Sequence, residues 1–370
     1  MLRPCTEIWG SVTLRDAVPG IVTYRDVTYV PYQHGAAWGI FDADGQAVEG
    51  SVDMHGPNGV PEHQILEWAG QAEAQAEEDV YIYAGRFNPH YGHFLVNTLS
   101  RLWPLALAAP PAGRLLFHGG GTPADWFTLP FARESFGALG LGAGDIRRFT
   151  VPTRINTLIV PRPCFQEQHF VHRVFAALCH HIGARLLQGH MPRTGLPPVY
   201  LSKSGLTSGV GRVVNEAPLE ARLRDAGVEI IHPEQLSLAE QITLFVERPA
   251  VLGTIGSAFH TSVFAPPHAR LLALSPIPGP NSNYLLIDAV NGNNAQYFYA
   301  DGAALVRPQG DPFITSFQIP EPELAADILL TQLGPARHAL RPLPQPAPTP
   351  DAPPPHDAGQ VQIFSARSLG

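Results

Sequence analysis

Hydrophobic positions fall into short runs that alternate with amphipathic stretches, most regularly between Val199 and Leu274. Pro198-Val199-Tyr200-Leu201-Ser202, Val228-Glu229-Ile230-Ile231, Ala250-Val251-Leu252-Gly253 and Arg270-Leu271-Leu272-Ala273-Leu274 read as strands, and the third is apolar throughout, as a sheet covered on both faces requires. The intervening segments read as helices. Asn215 opens one, with Glu216 and Pro218 in its first turn, Leu219, Leu223 and Ala226 on its buried face and Gly227 as its stop. Ser237-Leu238-Ala239-Glu240 is a capping box that opens a second, running through Phe245, and Gly256-Ser257-Ala258 opens a third. This alternation predicts an open α/β sheet, whose ligands lie beyond the C-terminal ends of its strands.

Upstream, Val80-Tyr81-Ile82-Tyr83, Leu115-Leu116-Phe117 and Leu158-Ile159-Val160 read as strands of a separate sheet. The loop Asn88-Pro89-His90-Tyr91-Gly92 leads into a helix expected from His93 to Leu107. Its spacing puts His93, Asn97 and Arg101 on one polar stripe facing a cleft, with Phe94, Leu95, Leu99 and Leu102 packed behind. A helix is expected from Phe170 to Leu187. Before Trp68, β-rich pieces such as Ile21-Val22-Thr23-Tyr24 alternate with Gly, Asp and Pro turns and suggest a small sheet or a β-rich embellishment ahead of the first lobe. The expected division is an N-terminal β-rich segment over 1–75, a first α/β lobe over 76–190 on the acceptor side and a second over 191–335. A tail over 336–370 includes the Pro, Ala and Gln segment Pro342 to Pro355, which lacks the residues for a core.

Composition narrows the function. With 370 residues, 45% of them hydrophobic and 15% charged, the chain has ample core for two domains. A net charge of -8 without a Lys/Arg run argues against nucleic acid as a partner. Cys5, Cys164 and Cys179 form no disulfide framework, no basic-then-apolar leader opens the chain, and no apolar run of about 18 residues occurs. The expected location is the cytoplasm, with peripheral contact at the inner face of a membrane allowed.

The turns of the regular stretch carry the candidate chemistry. Lys203 and Arg212 follow a strand in Gly/Ser-rich turns, where they are either solvated charges or contacts for a diphosphate. N–H groups near Gly256, Ser257 and Ala258 would complete such a site, since Gly256 and Ala258 add little bulk. Asn215 and Glu216 serve equally as helix cap and dipole partner or as ligand contacts. Glu240 fits the capping box, and Gln241 reads as a cap neighbour or a ribose contact. His260 is either a phosphate or base contact or a packed histidine, and His93 is either a general base or a side chain that holds its loop. His90 and His93 lack the further ligands of a metal site. Ser257 lacks the second glycine of a nucleophile elbow, and no Gly-x-Gly-x-x-Gly fingerprint supports a dinucleotide oxidoreductase.

Together these pieces carry a resemblance. Tyr200-Leu201-Ser202-Lys203, Arg212-Val213-Val214-Asn215-Glu216, Pro233-Glu234-Gln235-Leu236-Ser237 with Glu240-Gln241, and Gly256-Ser257-Ala258 before Phe264-Ala265-Pro266-Pro267 are similar to glycosyltransferase family 61 in its bacterial branch, of the capsular or exopolysaccharide type. His90-Tyr91-Gly92-His93-Phe94, leading to Leu99-Ser100-Arg101-Leu102, resembles that family's N-terminal motif. The resemblance spans roughly Tyr81 to Leu274. It implies a GT-B-like fold of two Rossmann-like lobes with a cleft between them, and an inverting transfer that needs no metal or cofactor. The donor would be a nucleotide-sugar, most often a UDP-sugar, and the acceptor a glycan or lipid-linked glycan in polysaccharide biosynthesis. His93, Asn97 and Arg101 would then be catalytic, and Lys203, Arg212, Asn215, Glu216, Gln241, Gly256, Ser257, Ala258 and His260 would hold the donor.

Two departures matter. Ile255 stands where the family often has histidine, and Asn97 stands where it tends to carry a carboxylate, a candidate base. An amide cannot take up the acceptor's proton, so either His93 or another carboxylate does so or activity is low. The competing class is a non-catalytic protein that binds sugar-nucleotide or glycan.

Overall fold

A computed structural model describes residues 1–33, 36–61, 64–206, 211–306 and 316–334; the tail expected over 336–370 lies outside the described residues. The chain is mixed α/β and divides into two units. Among the described residues, one is Thr13–Ile182, and the other joins Met1–Val12 to residues 183–334.

The first unit is built on a mixed sheet of strands β1 (Ile21–Val30), β2 (Gly39–Phe41), β3 (Val80–Arg86), β4 (Arg114–His118), β5 (Ile146–Arg147) and β6 (Thr153–Pro161), in the order β5-β4-β3-β6-β1-β2, with Ala74–Gln75 also pairing β6. β5, β4, β3 and β6 are parallel, while β1 and β2 are antiparallel additions. The N-terminal strands β1 and β2 therefore embellish this sheet, while Met54–His55 and Val60–Pro61 pair with each other as a small two-stranded sheet. Val27, Tyr29 and Ile40 are fully buried with Tyr81, Tyr83, Leu116, Ile155 and Leu158, and pairing β1 to β6 is what gives that apolar face a core to enter.

Two expected helices take another form. The stretch after β3 is a short helical turn (Tyr91–His93), a π-helix (Phe94–Thr98) and 3₁₀ turns at Leu99–Arg101 and Trp103–Ala106. Pro104 has no N–H to continue a ladder, and Phe94, Leu95, Val96, Thr98, Leu99, Ser100 and Arg101 are all buried, so no polar stripe exists. Phe170–His172 is a strand, antiparallel to Phe165–Gln166 and parallel to Thr13–Arg15, and the helix begins only at Arg173. That helix, Arg173–Leu186, carries the chain into the second unit.

In the second unit the strands β7 (Val199–Leu201), β8 (Glu229–Ile231), β9 (Val251–Thr254), β10 (Arg270–Ser275) and β11 (Asn294–Ala300) lie in the order β8-β7-β9-β10-β11, all parallel, with Leu2–Pro4 as an antiparallel edge on β11. Helices α1 (Glu216–Asp225), α2 (Leu238–Glu247), α3 (Ser282–Asn291) and α4 (Pro322–Leu333) cover it. Tyr200, Leu219, Leu223, Leu252, Leu272 and Leu329 form its core. The expected capping box is present, with Glu240 N–H donating to Ser237 Oγ and Ser237 N–H to Glu240 Oε2. The strand order reverses between β7 and β9, which is the switch point where open α/β sheets receive ligands.

Candidate functional site

In the first unit, His93 stands at the end of the helical turn after β3, and its imidazole is 41% exposed above a Glu167 carboxylate that is 4% exposed. Nδ1 lies 2.9 Å from Glu167 Oε1 and 3.2 Å from Asn97 Oδ1. A carboxylate and an amide oxygen can only accept, so Nδ1 carries the proton and donates it, and Nε2 is the acceptor nitrogen of the neutral ring. The buried carboxylate thus fixes the tautomer of the neutral ring, the arrangement a general base requires. Glu167 sits at the tip of the hairpin between Phe165–Gln166 and Phe170–His172, where Gln168 has a left-handed φ of 59° and the Glu167 carbonyl accepts the Gly56 N–H at 3.0 Å. His90 lies beside this pair, 5.3 Å from His93 between ring centroids. Burial lowers its pKa and His93 pulls the same way, while Glu167 opposes them.

Of the expected catalytic residues, His93 and Asn97 come together. Arg101 does not join them. Its side chain is fully buried, with Nη2 on Asp53 Oδ1 at 2.8 Å and Nη1 on the Pro161 carbonyl at 2.9 Å. Glu167 escaped the sequence reading because it lies 74 residues from His93. A signal was present nonetheless, since Gln166-Glu167-Gln168-His169 is a polar tetrad between Phe165 and Phe170.

In the second unit the switch point carries Lys203 beyond β7 and Ile255-Gly256 beyond β9. Lys203 Nζ donates to the Ile255 carbonyl at 2.6 Å and to the Gly211 carbonyl at 2.9 Å. A Cβ on Gly256 would stand 2.6 Å from that Nζ, so glycine there is what lets the lysine reach across. Glu216, which is 2% exposed, accepts the Tyr200 hydroxyl at 2.7 Å and the Lys203 backbone N–H at 3.1 Å. Burial pulls the Lys203 ammonium down to about 8 against the opposing pull of Glu216. Burial likewise pushes the Glu216 carboxyl up to about 7, opposed by its Tyr200 bond and reinforced by Glu220. Arg212 Nη1 donates to the Leu206 carbonyl at 2.6 Å.

The remaining expected donor contacts divide. Ser257 and Ala258 open a helix of only four residues, Ser257–His260, that continues as a 3₁₀ turn, so individual N–H groups and not a helix dipole are what this corner offers. His260 is buried, its ring 4.7 Å from that of Tyr284. Gln241 Nε2 donates to the Pro233 and Leu236 carbonyls and holds the turn before α2. Asn215 does not cap α1. Its amide donates to the Ile319 carbonyl at 2.6 Å and accepts the Ile319 N–H at 3.0 Å, which ties down the chain ahead of α4.

Among the described residues no group of three or more His, Cys, Asp or Glu is arranged to hold a metal ion, and no helix is long and apolar enough to cross a membrane. A mixed α/β chain with a carboxylate-held imidazole in one unit and a lysine at the switch point of the other is equipped for proton transfer and for an anionic ligand. Residues 91–272, just under half of the chain, match the family model described as Glycosyltransferase 61. The match takes in His93, Glu167, Lys203 and His260, lies within the stretch that carries the sequence resemblance, and supports a glycosyltransferase. No curated protein matches the chain.

Proposed function

We propose that the chain is an inverting glycosyltransferase of the family 61 type that moves a sugar from a nucleotide-sugar, taken as a UDP-sugar, to a hydroxyl of a glycan or lipid-linked glycan acceptor. The proposal includes independence from metal, two Rossmann-like lobes of the GT-B kind, and cytoplasmic work in bacterial polysaccharide assembly. The observation that carries it is the His93–Glu167 pair within the matched span, because it supplies the base that Asn97 cannot.

His93 Nε2 takes the acceptor's hydroxyl proton, and Glu167 steadies the imidazolium that forms. The acceptor oxygen bonds to the anomeric carbon as the bond to the diphosphate oxygen breaks on the opposite face. The electron pair leaves with the diphosphate, whose charge Lys203, Arg212 and the N–H groups of Ser257 and Ala258 meet. The non-catalytic reading rested partly on Asn97, and Glu167 weakens it.

Thermal stabilisation across a panel of nucleotides and nucleotide-sugars, with and without EDTA, tests the reading. UDP at about 100 times its dissociation constant should add about 2.7 kcal/mol, unchanged by EDTA. No shift with any nucleotide would defeat the donor assignment, and a shift without hydrolysis or transfer to any acceptor would favour the non-catalytic class.

The same assignment sets a pH dependence. Folding depresses the Lys203 pKa, so above about 8 the unliganded site has lost the proton that a diphosphate needs. UDP binding must then take up one proton, and its Kd should rise about tenfold per pH unit above that point. Ionisation of Glu216 near pH 7 adds a smaller loss at lower pH. Lys203→Arg keeps its charge and should flatten the upper limb in calorimetric titrations; an equally steep limb in that variant would remove Lys203 from the donor site.

A further inference from the structure

A cavity of about 660 Å3 in the first unit is lined by the end of the strand Thr13–Arg15, by residues of the 46–54 segment and by the hairpin that carries Glu167. It lies in the size range of small-ligand sites, about 300–1,000 Å3. Val18, Val48, Val52, Met54 and Leu66 make much of its lining apolar, and Val18 and Leu66 are 59% and 50% exposed, so that lining continues to the surface. The polar groups come from neighbouring strands. Arg15 pairs in register with His172, and strand alternation puts Phe170 and His172 on one face.

These walls are tied down by hydrogen bonds. Arg101 donates through Nη1 to the Gly50 carbonyl and through Nη2 to the Val52 carbonyl at 3.4 Å, and Gln166 Nε2 donates to the Gly56 carbonyl at 2.9 Å. Gln166, which lines the cavity, is next in the chain to Glu167, so the cavity and the proposed base share one hairpin.

The lining is positive. Among its residues the acid is Glu49, which pairs with Arg162, while Asp16 beside the strand pairs with Arg173. Two arginines against one carboxylate give a net charge of +1. His172 Nδ1 donates to the Ala17 carbonyl; burial lowers its pKa, the Ala17 bond opposes this and Arg15 adds to it, so the ring is uncharged at neutral pH. The Arg15 guanidinium lies 3.6 Å over the centre of the Phe170 ring. Stacking uses the flat face of the group, while its N–H donors point outward in the plane of the fork, where an anion can meet them.

We propose that this cavity holds the phosphate and the adjoining hydrocarbon of a lipid-linked acceptor, so that the acceptor is a glycosyl phosphate lipid and not a free glycan. The inference rests on the reading of the chain as a glycosyltransferase with His93 as base. A phosphodiester between a sugar and a lipid keeps one negative charge, which matches the +1 of the lining, and a guanidinium fork pairs with phosphate through two parallel hydrogen bonds. A fatty carboxylate esterified to a sugar would have lost its charge. The hydrocarbon beside the phosphate leaves water for the valines, Met54 and Leu66. A free glycan offers neither the charge nor the chain.

The test is calorimetric titration of the full chain with four probes kept below any micelle concentration: methyl octyl phosphate, dimethyl phosphate, octyl β-glucoside and octanoate. Methyl octyl phosphate should bind at least tenfold tighter than dimethyl phosphate and octyl β-glucoside. Arg15→Ala should bring it to the level of octyl β-glucoside, and Arg15→Lys should keep part of the preference. Leu66→Gln, at an exposed position, should weaken the octyl probes and leave dimethyl phosphate unchanged. The UDP-induced thermal shift should be the same in each variant, which also verifies folding. Equal binding of methyl octyl phosphate and octyl β-glucoside, or a preference that survives Arg15→Ala, overturns the inference. Octanoate binding more tightly than methyl octyl phosphate would assign the cavity to a fatty carboxylate and overturn it as well. A UDP shift without the phosphate preference would leave the donor reading standing and remove this site, whereas the preference in a protein giving no UDP shift would uphold the site and remove the donor reading.

Discussion

His93→Ala is expected to lower sugar transfer by about 10²–10⁴-fold, the range of a positioned general base, and to leave UDP affinity unchanged. The imidazole is 41% exposed and held at Nδ1 by Glu167, so the substitution removes the proton acceptor while little packing is lost. Glu167→Gln is expected to cost less than His93→Ala. An amide oxygen can still accept the Nδ1 proton and keep the tautomer, but the negative charge that favours the imidazolium is gone. The ordering of the two losses in turnover is therefore the diagnostic, measured beside donor Kd and melting temperature. Turnover in His93→Ala within about threefold of the parent would assign proton removal to another group.

How much of this was legible in the sequence depends on the range of the interaction. Four of the five parallel strands of the second unit were readable to within a residue or two, because each is an apolar run with its own cap or turn, whereas Asn294–Ala300, which mixes Asn and Gln with aromatic residues, was not read. Periodicity reports which face of an element is apolar. It does not report the partner, and in the first unit the partner decides the outcome. β1 reads correctly as a strand, yet its place against β6 depends on pairs such as Leu158 with Tyr24. Asn215 has the composition of a cap and is drawn away by Ile319, 104 residues distant. Lys203 and Gly256 were legible as neighbours of each other because both follow strands of one parallel sheet, and topology alone brings such ends together. Glu167 was not, since a hairpin tip enters the site from a different sheet.

Arg101 shows the same limit and carries the largest expected effect on stability. Helical spacing put it on a stripe with His93, but the π-helix and 3₁₀ turns rotate it inward, where residues 50–53 and Pro161 surround it. Arg101→Ala leaves the Asp53 carboxylate and several buried carbonyls without their donor, and the expected cost is about 3–5 kcal/mol. Against a typical domain stability of about 5–15 kcal/mol, that loss is a large fraction of the total. Arg101→Lys should recover little, because an ammonium is a point charge and cannot span a carboxylate and carbonyls on separate segments. Arg101→Met paired with Asp53→Leu should recover more, since removing both charges eliminates the unpaired carboxylate. Urea midpoints of the three variants, with turnover per folded molecule measured at low temperature, separate support of the fold from chemistry. A stable but inactive Arg101→Ala would return this residue to the catalytic set, whereas an unstable variant that turns over normally once folded would make it the pin that holds the His93 segment against the sheet.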